Sequence, residues 1–454
     1  MTGDATDGLV RSLAETLPAP IDELHVAAIL ESRGVTDEAA REHYRHDDVF
    51  ALARTVFQRL PGPPADTRAP VAGPRPSRWR TLAHGPLYIL PSAVYPAVFA
   101  ELGPVAMVRG LVFATALGWV WGMGMSLAAH RLLGEGRAAG RLLRRFVAAG
   151  LGVALAGAVA LALTGPGGPL LVAFVLAQLG FQLACGVLIF DRGEVRVFVV
   201  MLPAFAAGVL HVVSGYAPAM VGVTLAMGAS SSVLALAAAW RATTPAAEPP
   251  GAPPVRTAVV AALPGAWYAA MSALFLLSTD ARFVTARFDL AIAVAPLACA
   301  MGAVEWRSHH FDARARELLH RARDAAEFLR EVRRTLVREL TLCLLVVGGF
   351  ALVLLAVLAA SGVLTSRGAL LIDAHVVLGG AYFLGFLLAN YGRYRLLLGI
   401  ATGVTAAQLL GAGLAAARFA PHGEVPIFLA CSGILLALLL TALRDTVGRV
   451  HHYR

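Results

Sequence analysis

A chain of 454 residues that is 58% hydrophobic and only 15% charged, with a mean hydropathy of +0.69, is too apolar for a water-soluble globule, where about 25% of residues are charged. It reads as an all-α polytopic membrane protein whose units are set by the bilayer. All 38 basic residues are arginine and the net charge of +9 suits basic cytoplasmic loops; with no basic run interleaved with aromatics, nucleic acid is excluded as a partner.

Residues 1–60 form a separate cytoplasmic unit. The segment 20–32 places Ile21, Leu24, Ala28 and Ile29 on one helical face and Gly34 can stop that helix. Thr36 or Asp37 can cap a second helix to Tyr44, and Asp47 or Asp48 a third carrying Phe50, Leu52, Val56 and Leu60. A three-helix mini-domain of this size is near the lower limit for folding alone, so a cytoplasmic protein partner is expected. Its middle has the look of a helix-turn-helix, but eleven acidic residues against six arginines make it a poor DNA ligand. His43 and His46 have a spacing that metal sites use, and an ordinary surface helix end has it too. The Pro-rich segment 61–83 reads as an extended linker ending in Arg75, Arg78, Trp79 and Arg80, an interface anchor.

Twelve segments satisfy the length of a spanning helix: about 84–101, 106–130, 146–165, 168–190, 197–214, 217–240, 257–279, 286–305, 338–362, 369–390, 394–415 and 424–443. Pro86, Pro91 and Pro96 interrupt the first, which must therefore face protein or a water-filled path. With the N-terminus inside, the cytoplasmic segments beyond the first unit hold 27 arginines and the outer connections hold five. This fits the positive-inside rule and puts both termini on the cytoplasmic side of the inner (plasma) membrane.

The two halves look like copies. Advancing 178 residues takes Pro86 to Pro264, Arg109 to Arg287, Met123 to Met301 and Gly124 to Gly302; eleven further residues bring Arg144 and Arg145 to Arg333 and Arg334. Six spans is an even number, so lobes 84–240 and 257–443 are parallel repeats, joined by the linker 241–256 and followed by a cytoplasmic tail, 444–454.

Two six-span lobes, Pro-bent first and seventh spans, and basic inner loops after the second and eighth resemble the multidrug/oligosaccharidyl-lipid/polysaccharide exporter superfamily. The resemblance is architectural and covers residues 84–443. It implies a transporter or flippase with alternating access, closest to the branch that exports saccharides or lipid-linked saccharides. The major facilitator fold is the alternative, although its Asp-containing loop after the second span is replaced here by HRLLGEGRAAGRLLRR. A non-transporting scaffold of a polysaccharide-synthesis complex is another. An enzyme is not expected: the outer connections are short, and no H-E-x-x-H, G-x-S-x-G or P-loop pattern occurs.

Ionisable residues at membrane depth are functional candidates. Glu101 and Arg109 lie at the outer ends of the first two spans, and Asp280, Arg282, Arg287 and Asp289 at the equivalent place in the second half. The two clusters can face each other as an outer gate, and Arg109 and Arg287 can together hold a phosphate or carboxylate of the cargo. Asp373 in the tenth span is a candidate coupling carboxylate tuned by His375. Gln178 and Gln182 share a face of the fourth span, while Glu305 and Glu339 read as structural partners of the basic stretch 307–334. That stretch reads as an amphipathic helix on anionic membrane lipid. The four cysteines are packing residues without metal spacing, and no metal or cofactor is called for.

Overall fold

The computed structural model describes residues 3–16, 23–60, 78–243, 255–285, 287–321, 325–418 and 423–447. Most of the linker expected at 61–83, the centre of the one expected at 241–256 and the end of the C-terminal tail lie outside the described residues. The chain divides into two compact units, Met1–Pro76 and Ser77–Arg454.

Among the described residues the first unit holds four helices instead of the three expected: α1 (Gly3–Thr16), α2 (Glu23–Ser32), α3 (Asp37–Tyr44) and α4 (Val49–Arg59). The additional helix, α1, contributes the fully buried Leu13 to a core with Val26, Leu30, Leu52 and Val56. Caps set the boundaries. Thr36 accepts a hydrogen bond from the Ala39 amide and Asp48 from the Ala51 amide. Asp37, free of the capping task, accepts from the Val49 amide at 2.9 Å and ties the start of α3 to the start of α4. No group of three or more metal-ligating side chains forms among the described residues.

Among the described residues of the second unit eleven helical runs are long and apolar enough to cross a membrane. The first, Arg78–Gly134, is 57 residues long, or about 85 Å at 1.5 Å per residue, enough for two crossings. It divides at Gly103, whose φ of 70° no helix allows, and Pro104 begins the next helix. Span 1 is thus Arg78–Ile89 continued through the 3-10 turn Leu90–Val94 and the helix 95–102, and span 2 is 104–134. The turn falls at Pro91, where the missing amide frees a carbonyl. The other ten are span 3 (Gly140–Leu163), span 4 (Gly168–Phe190), span 5 (Glu194–Val213), span 6 (Pro218–Ala242), span 7 (Val255–Phe283), span 8 (Ala295–Arg321, preceded by the single turn Phe288–Ala291), span 9 (Ala325–Ala360), span 10 (Ser366–Asn390), span 11 (Tyr394–Arg418) and span 12 (Glu424–Val447). The protein is an all-α polytopic membrane protein.

The two halves pack by one scheme. Spans 4 and 10 are the most buried of their halves. Span 4 packs on spans 2, 3 and 6, and span 10 on spans 8, 9 and 12; spans 5 and 6 pair as spans 11 and 12 do, and span 1 meets span 5 as span 7 meets span 11. Contact between the halves is also doubled. Span 2 lies on span 7 and, at the position the repeat relates to it, span 8 lies on span 1. Glycine permits both. A Cβ on Gly124 would sit 3.6 Å from that of Ala266, whereas one on Gly302 would meet the Thr81 carbonyl oxygen at 2.4 Å and one on Gly85 that of Cys299 at 1.9 Å. These approaches lie toward the end of the bundle that carries the arginine-rich loops, called the basic end below.

The stretch 307–334 is not a separate helix lying on lipid. Spans 8 and 9 both run into it and pack on each other, with Phe311, Ala315, Phe328 and Val332 buried in the core of the second half. Of the stripe itself Leu318, Leu319 and Leu329 are half-buried and Ala326 is exposed, so protein covers it only in part.

Candidate functional site

Two repeat-related places at the far end of the bundle, opposite the basic end, collect polar side chains. In the second half, span 7 turns Ser272 and Thr279 inward and span 10 turns His375 toward them. Gln408 of span 11 donates to the Phe275 carbonyl at 2.9 Å and the Thr279 hydroxyl at 2.8 Å. His375 is fully buried; its Nδ1 lies 2.7 Å from the Leu371 carbonyl and its Nε2 3.2 Å from Asp280 Oδ2. The carbonyl can only accept, so Nδ1 carries a proton. A neutral ring would then point the Nε2 lone pair at a carboxylate, so the contact is a hydrogen bond only when the pair holds one proton more, on Nε2 or on Asp280. Phe428 covers the imidazole with ring centres 5.4 Å apart.

Asp280 therefore takes the place expected for Asp373. The latter is exposed, because positions two apart on a helix do not share a face and His375 faces the protein interior.

The equivalent place in the first half is hollow. A cavity of about 120 Å³ lies between spans 1, 4, 5 and 6, lined by apolar side chains with Tyr95, Phe174, Gln178 and Ser232, and among the described residues Glu101 is the one charged side chain in its lining. Gln178 hydrogen-bonds Tyr95, whose ring meets Phe174 edge-on at 6.3 Å. The same span pairing, the end of the first helix against the fourth, thus gives Glu101 with Gln178 in one half and Asp280 with His375 in the other. Gln182, sharing a face with Gln178, instead packs on span 2 at Gly118.

The remaining residues singled out in the sequence are bound within their own halves. Arg109 donates to Thr164 at 3.0 Å, in the connection between spans 3 and 4. Arg287 donates to the Val363 carbonyl at 3.4 Å, in the equivalent connection between spans 9 and 10, and to Asp289 at 3.3 Å. The repeat-matched arginines are thus matched staples of their halves. Asp289 is fully buried and accepts from the Thr365 amide at 3.0 Å, fixing the start of span 10. Arg282 pairs with Glu424 of span 12. Among the described residues no ion pair joins the Glu101–Arg109 cluster to the second cluster, so the outer gate expected between them is not formed in this conformation.

A third cluster was not singled out in the sequence. At the basic end His84 of span 1 lies 2.8 Å from Glu305 of span 8 and 3.8 Å from Glu194 of span 5. These positions are more than a hundred residues apart along the chain, and only folding brings them together. Glu305 and Glu339 do meet the basic stretch: Glu305 lies 3.9 Å from His309, and Glu339 pairs with Arg307 at 3.0 Å and His310 at 3.8 Å.

No protein-family model matches the chain, and no curated protein matches it in sequence. Solved structures with a similar chain path are an inward-facing multidrug resistance MATE family transporter of the MOP superfamily (14% identity, 83% of this chain and 98% of that chain, TM-score 0.43) and an outward-facing one (13% identity, 83% and 96%, TM-score 0.48). A MATE structure in complex with Br-NRF gives 13% identity over 83% and 98% of the two chains, with a TM-score of 0.45. These are chains the protein is similar to in architecture; what its site can do rests on its own residues.

Proposed function

We propose that the protein is a membrane transporter working by alternating access, in which the first-half cavity takes the cargo and a proton held between His375 and Asp280 drives the cycle. The observation that carries this reading is the broken symmetry of two otherwise matched halves. One is hollow where the other is filled by an ionisable pair, and a charge at membrane depth is retained for function. Arginine distribution supports assigning the basic end to the cytoplasm of the inner (plasma) membrane, so this conformation is closed toward the cytoplasm. Cysteines introduced at Gly167 and Ser214 are then expected to label from outside in intact cells, and one at Gly136 is not. Labelling at Gly136 would overturn the sidedness.

A space of about 120 Å³ is below the roughly 300–1,000 Å³ of pockets that enclose a whole drug-sized ligand, so it fits one end of a cargo molecule, such as a ring. Its apolar and aromatic lining with a single carboxylate favours an end that is neutral or cationic. A neutral saccharide finds hydrogen-bond partners in Glu101, Gln178 and Ser232. A phosphate-bearing lipid-linked saccharide would need Arg109 and Arg287, which are engaged outside the cavity. In proteoliposomes Glu101→Gln is expected to lower uptake of a lipophilic cation about tenfold, the ~1.4 kcal/mol of one lost charge contact, while Arg109→Gln leaves it within a factor of about two. Loss of acidic-saccharide transport in Arg109→Gln and in Arg287→Gln, with Glu101→Gln silent, would show instead that the cargo is an anion held at the far end.

A further inference from the structure

At the basic end span 2 meets span 7 through a buried apolar cluster that includes Ala128, Leu132, Ala258 and Ala262, and span 1 meets span 8 through the close backbone approaches at Gly85 and Gly302, beside which a buried imidazole lies. His84 is 7% exposed and both ring nitrogens face carboxylates from different elements. Nδ1 is 2.8 Å from Glu305 of span 8, across the boundary between the halves, and Nε2 is 3.8 Å from Glu194 of span 5, within its own half. Nε2 has no hydrogen-bond partner, so its only polar neighbour of note is the second carboxylate. An imidazolium presents a proton to each acid and sets one positive charge between two negative ones. A neutral ring must turn a lone pair toward one of them, which leaves two carboxylates in a poorly solvated seam with a single donor.

We propose that this triad is a proton-operated latch: protonated His84 bridges Glu194 and Glu305 and holds the halves together at the cytoplasmic end, and loss of its proton releases them. The inference rests on the alternating-access reading and names the group that governs its cytoplasmic step.

The surroundings leave His84 as the switch. On its own helix Arg80 lies 4.0 Å from Glu194 but is half exposed, and Arg78 is stacked at 5.0 Å on Trp306; Tyr88 is the ring neighbour one turn on. From span 8, His309 reaches Glu305 only at 3.9 Å and is 48% exposed, and Asp312 is held by Asn390 and Tyr391. Span 5 also carries Arg196, paired with Asp191. From span 9, Glu339 is occupied by Arg307 and His310. Span 4 contributes the buried thiol of Cys185. None of these places a second cation between the two carboxylates.

The test is a pulsed spin-label distance in the purified full chain between Leu133, 51% exposed at the end of span 2, and Arg395, exposed at the start of span 11. In the wild type the short distance dominates at pH 6, and above the transition the closed-to-open ratio falls about tenfold per pH unit, the slope of one released proton. His84→Gln is expected to give the long distance at every pH, His84→Arg the short one at every pH, and Glu305→Gln a transition moved to lower pH. A wild-type distance that does not change with pH, or a wild-type pH profile in His84→Gln, overturns the latch. Because the readout is a distance measured without cargo, neither result bears on whether the halves must part for transport; a cross-link that forbids parting tests that separately.

Discussion

Asp280→Asn is expected to reduce transport to less than about a hundredth of wild type, with the protein still inserted. The size follows from the role, since a coupled carrier that cannot bind its proton has lost its driving force and not one contact among many. The substitution is nearly isosteric and keeps an acceptor oxygen for His375 Nε2, so packing around Phe428 and Leu371 persists. What it removes is the ability of the pair to share an added proton. His375→Gln is expected to lower transport less than Asp280→Asn does, because the carboxylate is kept. Asp373→Asn, on the exposed face of the same helix, is expected to leave transport within a factor of about two, as for surface substitutions away from a site. Uptake measured from pH 5.5 to 8.5 for the three variants reads all of this. Equal loss in Asp373→Asn and Asp280→Asn would return the coupling role to the residue first favoured in the sequence.

The architecture was legible in the sequence because lipid imposes it: length and hydropathy locate spans, and an even span count makes the repeat parallel. The positions of Arg109 and Arg287 were legible for the same reason, as matched residues in matched halves. Their partners were not. Thr164 and Val363 lie in connections 55 and 76 residues further on, and only folding brings those to the arginines. Asp373 is nearer to His375 along the chain than Asp280 is, but two residues on a helix mean opposite faces, and it is Asp280 that meets the imidazole. The additional helix of the first unit, α1, carries an apolar stripe of Leu9, Val10 and Leu13 as regular as those of α3 and α4, so it was legible by the same rule. The amphipathic stretch 307–334 had the right pattern, but a stripe is the same whether lipid or a neighbouring helix covers it.

The claim that the halves part at the basic end during transport is tested most directly by tying them. Gly124 of span 2 and Ala266 of span 7 oppose each other with a Cβ separation of 3.6 Å, within the roughly 3.5–4.5 Å that a disulfide spans. The four native cysteines are free, and Cys185, Cys343 and Cys431 are buried. Gly124→Cys with Ala266→Cys is expected to cross-link under mild oxidation. Uptake in proteoliposomes should then fall to background and recover when a reductant opens the bond, with each single variant unaffected by either treatment. Transport that continues at the wild-type rate in the fully cross-linked protein would contradict alternating access of the two halves.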